Sequence, residues 1–371
     1  GVPCSHTTGR PEADPNSANP MRRLFSPTAI EPSIFGRAMS IITPASHELD
    51  HRRDGWSVLS RGPARAWLPA RTVDAVSPAI FSSVARAFNH LLKPYPARDL
   101  PPGEMVELPG RGRTFVTDSG PRDAPAVFLL HSVLTTGLLC WYPSIPALNK
   151  RYRVITLDHR WHGRGITSPG FDLEDCADDV VALADVLGID KFTAAGFSMG
   201  GGIAQLVWRR HPSRVSGLVL CSTGPYFSTH DPEHRERAQR TGRFLAPIYR
   251  RLPRPSEKSL NKTTSHTSVW AMRQFFSTPL SHMGDFGDGL GRFDSRDWLG
   301  EIDVPTAVVV STRDKVVEPE RQQLLVDGIR GAQRLEVDGG HACCVLGAEW
   351  FIPPFVEAVD AVTVGERQPA G

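Results

Sequence analysis

No stretch of this 371-residue chain approaches the ~18 consecutive apolar residues that a membrane-spanning helix needs, so no membrane span is expected within it. Its first residues have no apolar core of the kind a secretory signal carries. A charge excess is missing as well. The 42 basic and 40 acidic residues leave a net charge of +2, and no dense basic tract stands out, which argues against a nucleic-acid binder. Cysteine is scarce and unpatterned. The six cysteines stand at 4, 140, 176, 221, 343 and 344 without any C-x-x-C spacing, and adjacent Cys343 and Cys344 are poor partners for each other. Such a set reads as reduced thiols, not a disulfide framework or a metal knuckle, and gives the expectation of a cytoplasmic protein with no metal site.

What the chain does have is one stretch that organises the rest, Gly196-Phe197-Ser198-Met199-Gly200. Residues 191–195 before it are small and apolar with a β-branched member, as in a short buried strand. Residues 201–211 after it place Ile203, Leu206 and Val207 at helical spacing and are closed by Pro212. A serine between two glycines at a strand-to-helix junction is the nucleophile-elbow pattern. The turn is so tight that its flanking residues must be almost free of side chain, and the strained serine projects its hydroxyl above the sheet. The following helix aims its first N–H groups at the same spot, which favours negative charge there.

Around this stretch the chain divides by composition. Residues 1–20 are rich in Pro, Ser, Asn and Gly and are expected to form a disordered extension, with Met21 a candidate start. Residues 21–100 are expected to be an N-terminal helical extension docking on the core. Ile80, Phe81, Val84, Phe88, Leu91 and Leu92 share one helical face there, ended by Lys93-Pro94. From 101 to 222 strands and helices alternate. Strands are predicted at 105–108 and 114–117 around a Gly110-Arg111-Gly112 hairpin turn, then at 126–130, 153–157, 191–195 and 215–221. Helices are predicted at 141–148 and 173–187. The second has Asp172 as its N-cap and Cys176, Val180, Leu183 and Leu187 on one face. Residues 223–298 break the alternation and carry Tyr226, Phe227, Phe244, Tyr249, Trp270, Phe275, Phe276 and Phe286. They read as a helical cap over the carboxyl edge of the sheet. Residues 299–363 resume the pattern with strands at 307–310 and 334–337 and helices at 319–329 and 349–362, and 364–371 form a polar tail. The fold class is therefore α/β, with a mostly parallel twisted sheet, helices on both faces and a helical cap insertion.

A serine hydroxyl alone is a poor nucleophile and needs a base, with an acid to orient that base. In this architecture the partners lie on loops after later strands, in the order serine, acid, histidine. Asp314 lies just beyond the strand ending at Val310, and His341 just beyond the strand ending at Val337. No acid occupies residues 222–225, and Glu318, the nearest alternative, is expected to begin the next helix. The developing oxyanion needs backbone N–H donors, each worth about 3 kcal/mol in the transition state. Met199, after the nucleophile, should supply one, and Val133, in the His131-Ser132-Val133 loop after the third strand, the other. His131 and Ser132, with Gly196 and Gly200, are read as turn supports.

From about Val106 to Ala361 the chain resembles the α/β-hydrolase fold superfamily, with the elbow, Asp314 and Gly340-His341 at the triad positions. Asp158-His159-Arg160-Trp161-His162-Gly163 resembles the Asp-x-Arg-Gly-x-Gly turn of its esterase, enol-lactonase, C–C hydrolase and cofactor-free haloperoxidase branches, in an actinobacterial type. Three positions depart from the pattern: Ser132 replaces the usual Gly, Trp161 replaces another, and Cys343 and Cys344 crowd the histidine loop. Serine at the elbow disfavours the dehalogenase and epoxide-hydrolase branches, which carry Asp there. The resemblance implies a serine hydrolase that cleaves a carboxylic ester or related acyl bond through an acyl-enzyme, without metal or organic cofactor. C–C hydrolase, enol-lactonase and haloperoxidase chemistry are alternatives on the same fold. A reading of another class is a non-catalytic ligand-binding or sensor protein. The substrate is expected to be a small acyl compound. The cap aromatics suit an apolar part and the cap arginines an acidic one, or both are only core and solvated surface. Nothing in the sequence speaks to oligomeric state. Deleting residues 1–20 should leave the melting temperature unchanged in a thermal scan, whereas a large drop would show that they pack on a folded core.

Overall fold

The computed structural model describes residues 100–227, 267–279 and 282–363, together with Gly1 and Leu260. The expected disordered extension, the helical extension with its Ile80 to Leu92 face, the cap residues around Phe244 and Tyr249, and the polar tail lie outside them, Gly1 and Leu100 aside.

Among the described residues eight strands form one sheet: β1 (Gly103–Leu108), β2 (Gly112–Ser119), β3 (Ala126–Leu130), β4 (Arg153–Leu157), β5 (Phe192–Phe197), β6 (Val215–Cys221), β7 (Thr306–Ser311) and β8 (Gln333–Val337). Their spatial order is β1-β2-β4-β3-β5-β6-β7-β8. β1, β2 and β4 pair antiparallel, and every other pair is parallel. The α-helices bounded among the described residues are α1 (Gly137–Trp141), α2 (Ile145–Leu148), α3 (Leu173–Val186), α4 (Met199–Arg210), α5 (Thr267–Ser277), α6 (Met283–Arg292), α7 (Pro319–Gly328) and, after β8, α8 (Cys343–Leu346) and α9 (Ala348–Thr363). No helix among the described residues is long and apolar enough to cross a membrane.

The strands explain the two-faced core. Side chains alternate across a strand, so a central strand covered on both faces must be apolar throughout. All five residues of β3 are buried, and Phe128 and Leu130 enter one core while Val127 and Leu129 enter the other. β6 divides in the same way, with Leu218 and Leu220 opposite Val219 and Cys221. Against the first face pack Val180 and Leu183 of α3 and Ile203 and Val207 of α4. Against the second pack Trp141 of α1 and Phe351 and Phe355 of α9, with Trp141 stacked on Phe355 at 4.9 Å and Phe355 on Phe351 at 5.2 Å.

One local expectation needs correction. The helix predicted over 141–148 is two short helices, because Pro143 and Pro146 lack the N–H groups a continuous ladder requires. Thr136 starts the first of them, its hydroxyl accepting from the Leu139 N–H at 3.1 Å. Asp172 is the N-cap of α3, as expected, with extended backbone; its carboxylate makes no capping hydrogen bond and pairs with Arg292 of α6.

One buried ionic cluster positions the turn between β4 and α3. Asp179 on α3 is 3% exposed and receives both Arg160, through a bidentate pair at 2.6 and 3.0 Å, and Arg111 of the β1–β2 turn. The hydrogen bonds to Asp179 hold the Arg160 guanidinium above its ordinary pKa. Removing one partner of such a cluster strands the others away from water. Asp179→Leu should therefore cost about 3 kcal/mol in urea unfolding, and an unchanged midpoint would show the cluster to be dispensable.

Candidate active site

The site begins where β5 runs into α4. Ser198 lies between them with φ 53°, in the left-handed region that side chains other than glycine rarely adopt. The reason for the flanking glycines is a direct close approach. A Cβ on Gly196 would lie 2.0 Å from the Gly200 carbonyl oxygen, and one on Gly200 would lie 2.1 Å from the Leu130 oxygen. The strained residue is held by its neighbours: its N–H donates to Cys221 O at 2.9 Å, and its carbonyl accepts from Gly201 N and Thr223 Oγ1, both at 2.8 Å.

The acid and the base reach Ser198 from the next strands along the sheet. β7 and β8 are parallel neighbours with Ser311 opposite Val337, so the loops that follow them leave the same edge together. They are stitched by Thr312 N to Val337 O at 2.9 Å and Arg313 N to Gly339 O at 3.0 Å. His341 Nδ1 lies 2.7 Å from Asp314 Oδ2, and its Nε2 lies 2.9 Å from Ser198 Oγ. A carboxylate only accepts, so Nδ1 carries the proton and Nε2 turns its lone pair to the serine hydroxyl. The Asp314 side chain is fully buried. Its other oxygen accepts from Val316 N at 2.8 Å and Val317 N at 3.1 Å, and Gln322 Nε2 lies 3.4 Å from Oδ2. Glu318 is at the N-cap position of α7 and pairs with Arg321 at 2.9 Å. It is Asp314, not Glu318, that reaches His341.

The loop after β3 flanks the serine because Leu130 pairs with Gly196 in the sheet. Among the described residues no acceptor is recorded for the backbone N–H of Val133 or of Met199. Ser132 is buried, and its hydroxyl donates to Val133 O at 3.3 Å. His131 accepts the His159 N–H on Nε2 at 2.8 Å, so its Nδ1 is the protonated nitrogen, 2.8 Å from Ser132 O. Trp161 takes φ 62°, the conformation for which glycine is suited. It is held there by a tilted ring contact with His282, centroids 4.3 Å apart, and by its indole N–H donating to Ser168 O at 2.9 Å. Cys343 and Cys344 are buried, with the Cys343 sulfur 3.2 Å from Ser311 Oγ, and burial pushes the Cys343 thiol up to about 11.

A family model described as the alpha/beta hydrolase fold matches residues 125–348, which include Ser198, Asp314 and His341. The chain belongs to the α/β-hydrolase fold family. A 3-oxoadipate enol-lactonase of Acinetobacter baylyi is 24% identical over 254 residues, covering 68% of this chain and 95% of that protein. A carboxylesterase of Bacillus subtilis is 32% identical over 142 residues, or 37% of this chain and 47% of that protein. The crystal structure of an enol-lactonase from Burkholderia xenovorans superimposes with a TM-score of 0.57 at 26% identity, covering 69% of this chain and 99% of that one. The broad class of this α/β-hydrolase is hydrolase.

Several residues at the site have roles that the sequence did not assign, although Asp158, His159 and His162 belong to the turn already singled out there. Asp158 braces the loop by accepting from Gly137 N and Arg164 N, both at 2.9 Å, and burial raises its pKa. Gln322 holds Ser311 N at 3.0 Å beside its contact to Asp314. His159 and His162 gather with His131, with ring centroids 4.4 and 5.1 Å from it. All three are buried, and neither His159 ring nitrogen has a partner among the described residues. No group of three or more His, Cys, Asp or Glu among the described residues has the geometry to hold a metal ion.

Burial keeps these three imidazoles neutral. It pushes His159 down to about 3 and His162 down to about 4, and it lowers His131 well below the ordinary value. Their unfolded counterparts take up protons below about pH 6.5, whereas the folded ones do not. The stability they contribute is therefore present above that pH and is lost as pH falls, each histidine adding a slope of up to about 1.4 kcal/mol per pH unit. The urea midpoint should fall between pH 7 and pH 5, and His159→Leu should flatten that fall. A midpoint that does not change over this range would contradict the neutral assignment.

Proposed function

We propose that this α/β-hydrolase is a serine hydrolase that cleaves a carboxylic ester or related acyl bond. The observation that carries the reading is the unbroken hydrogen-bonded chain from Asp314 through His341 to Ser198 at the elbow. Ser198 Oγ attacks the substrate carbonyl while His341 Nε2 takes its proton, and the C=O π electrons move onto the carbonyl oxygen. The N–H groups of Met199 and Val133 face that oxyanion, and Asp314 stabilises the imidazolium. Collapse of the tetrahedral adduct breaks the bond to the leaving group, which receives the proton from His341. The acyl-enzyme remains on Ser198 until water, activated by the same imidazole, releases the acid and restores the hydroxyl.

A cyclic enol ester is a second reading within this chemistry, favoured by the enol-lactonases among the relatives in sequence and in structure. Cleavage of a lactone needs the same nucleophile, base and oxyanion donors, and differs only in that the leaving oxygen stays tethered to the acid. The helices inserted between β6 and β7 act as a cap over the site in this reading. Their buried Trp270 and half-buried Phe275 suit a substrate with an apolar part.

Ser198→Ala should lower turnover of a chromogenic ester by about a million-fold in a protein that still folds. Asp314→Asn keeps the size of the side chain but presents the wrong hydrogen-bond partner to His341, and should lower turnover by about ten-thousand-fold. Glu318→Gln should stay near wild type. A folded Ser198→Ala enzyme with wild-type turnover would remove Ser198 from the mechanism, and a dead Glu318→Gln beside an active Asp314→Asn would reverse the choice of acid.

A further inference from the structure

Three donors converge on a single backbone oxygen beside the elbow. Ser132 O accepts from the Thr135 hydroxyl at 2.8 Å, from the Thr135 N–H at 3.3 Å and from His131 Nδ1 at 2.8 Å. A trans peptide is planar, with its C=O and the following N–H on opposite sides, and no cis bond occurs among the described residues. Whatever grips the Ser132 carbonyl therefore aims the Val133 N–H the other way. That N–H, like the one of Met199, has no acceptor among the described residues. The chain must turn sharply straight after it, and Leu134 does so at φ 63°. A peptide plane next to a residue in the left-handed region gains little from local propensity and depends on its hydrogen bonds to keep its orientation.

We infer that Thr135 is a positioning residue for the oxyanion site: its hydroxyl, with His131, holds the Ser132–Val133 peptide plane so that the Val133 N–H faces Ser198. The inference rests on the reading of Ser198 as an acylating nucleophile. His131 is buried and committed, since its other nitrogen accepts from the His159 N–H. Thr135 is half-buried, and its hydroxyl reaches the same carbonyl while lying 3.4 Å from His131 Nδ1. The Thr135 segment is tied in turn to the inserted helices. Thr278 Oγ1, just past α5, donates to Thr135 O at 3.4 Å and accepts from Gly163 N at 3.2 Å, while the Thr136 hydroxyl donates to Gln274 Oε1 of α5 at 3.1 Å. The plane that presents the Val133 N–H is thus buttressed by β4's loop and by α5, as well as by its own turn.

Thr135→Val keeps the shape and removes only the hydroxyl. With a p-nitrophenyl ester that the wild type hydrolyses, kcat should fall by about tenfold or more, a fraction of what is lost when an oxyanion donor itself is removed. KM should stay within about twofold, because the contact matters only as charge develops. Inhibition by phenylboronic acid, whose tetrahedral serine adduct places an oxygen where the oxyanion forms, should weaken by a factor similar to the loss in kcat. Thr135→Ser, which restores the hydroxyl, should recover kcat to within about threefold. Should Thr135→Val fail to fold, Thr135→Ala compared with Thr135→Ser serves the same purpose. A folded Thr135→Val enzyme with wild-type kcat overturns the inference while leaving the nucleophile in place. Equal loss in Thr135→Val and Thr135→Ser overturns it too, because the hydroxyl would then be irrelevant. A wild type that neither hydrolyses esters nor binds the boronate overturns the reading of Ser198, and the inference with it.

Discussion

The arrangement depends on one close approach: the backbone of the β5–α4 elbow passes so near to itself and to the end of β3 that no side chain fits at Gly196 or Gly200. That contact forces Ser198 into φ 53° and lifts its hydroxyl off the sheet at the start of α4. It also brings the Leu130 carbonyl against Gly200, so the loop leaving β3 must run beside the serine. The central strands are then committed. β5 sits between β3 and β6 with its side chains buried on both faces, and the helices packed on those faces hold it in place.

The histidines of this region fall into two kinds, separated by their partners. His341 has a carboxylate on one nitrogen and a serine hydroxyl on the other, and its side chain keeps 12% of its surface exposed. His131, His159 and His162 have no carboxylate partner among the described residues, lie fully buried, and are held neutral by burial. Held neutral, the three buried rings serve as shaped packing around the loop that carries Val133.

Much of this could be read from local sequence, because local sequence sets it. Strand ends, the glycine-flanked serine, and an Asp and a His each just beyond a strand are short-range patterns, and the all-apolar runs of β3 and β6 follow from burial on both faces. The misses share the opposite cause. Asp172 is the N-cap the sequence suggests, but its carboxylate goes to Arg292, 120 residues away in sequence. Thr135 and Gln322 act through backbone groups that only the folded loops bring within reach, and so does Asp158, whose turn was singled out but not its bracing role. Trp161 stands where a glycine is suited, and its ring contacts with His282, Phe171 and Phe286 and its bond to Ser168 explain how it is accommodated. The helix predicted over 141–148 failed for a local reason, since its two prolines were there to be read.

The most direct test of Ser198 as the nucleophile is its covalent capture. Treatment of the full chain with an organophosphonate fluoride, followed by intact-mass measurement and peptide mapping, reads the reacting atom without any knowledge of the substrate. The expected result is a single phosphonyl adduct per chain, carried by the tryptic peptide spanning Phe192 to Arg209, at Ser198. No adduct on the folded protein, or an adduct that maps to another residue, would contradict it.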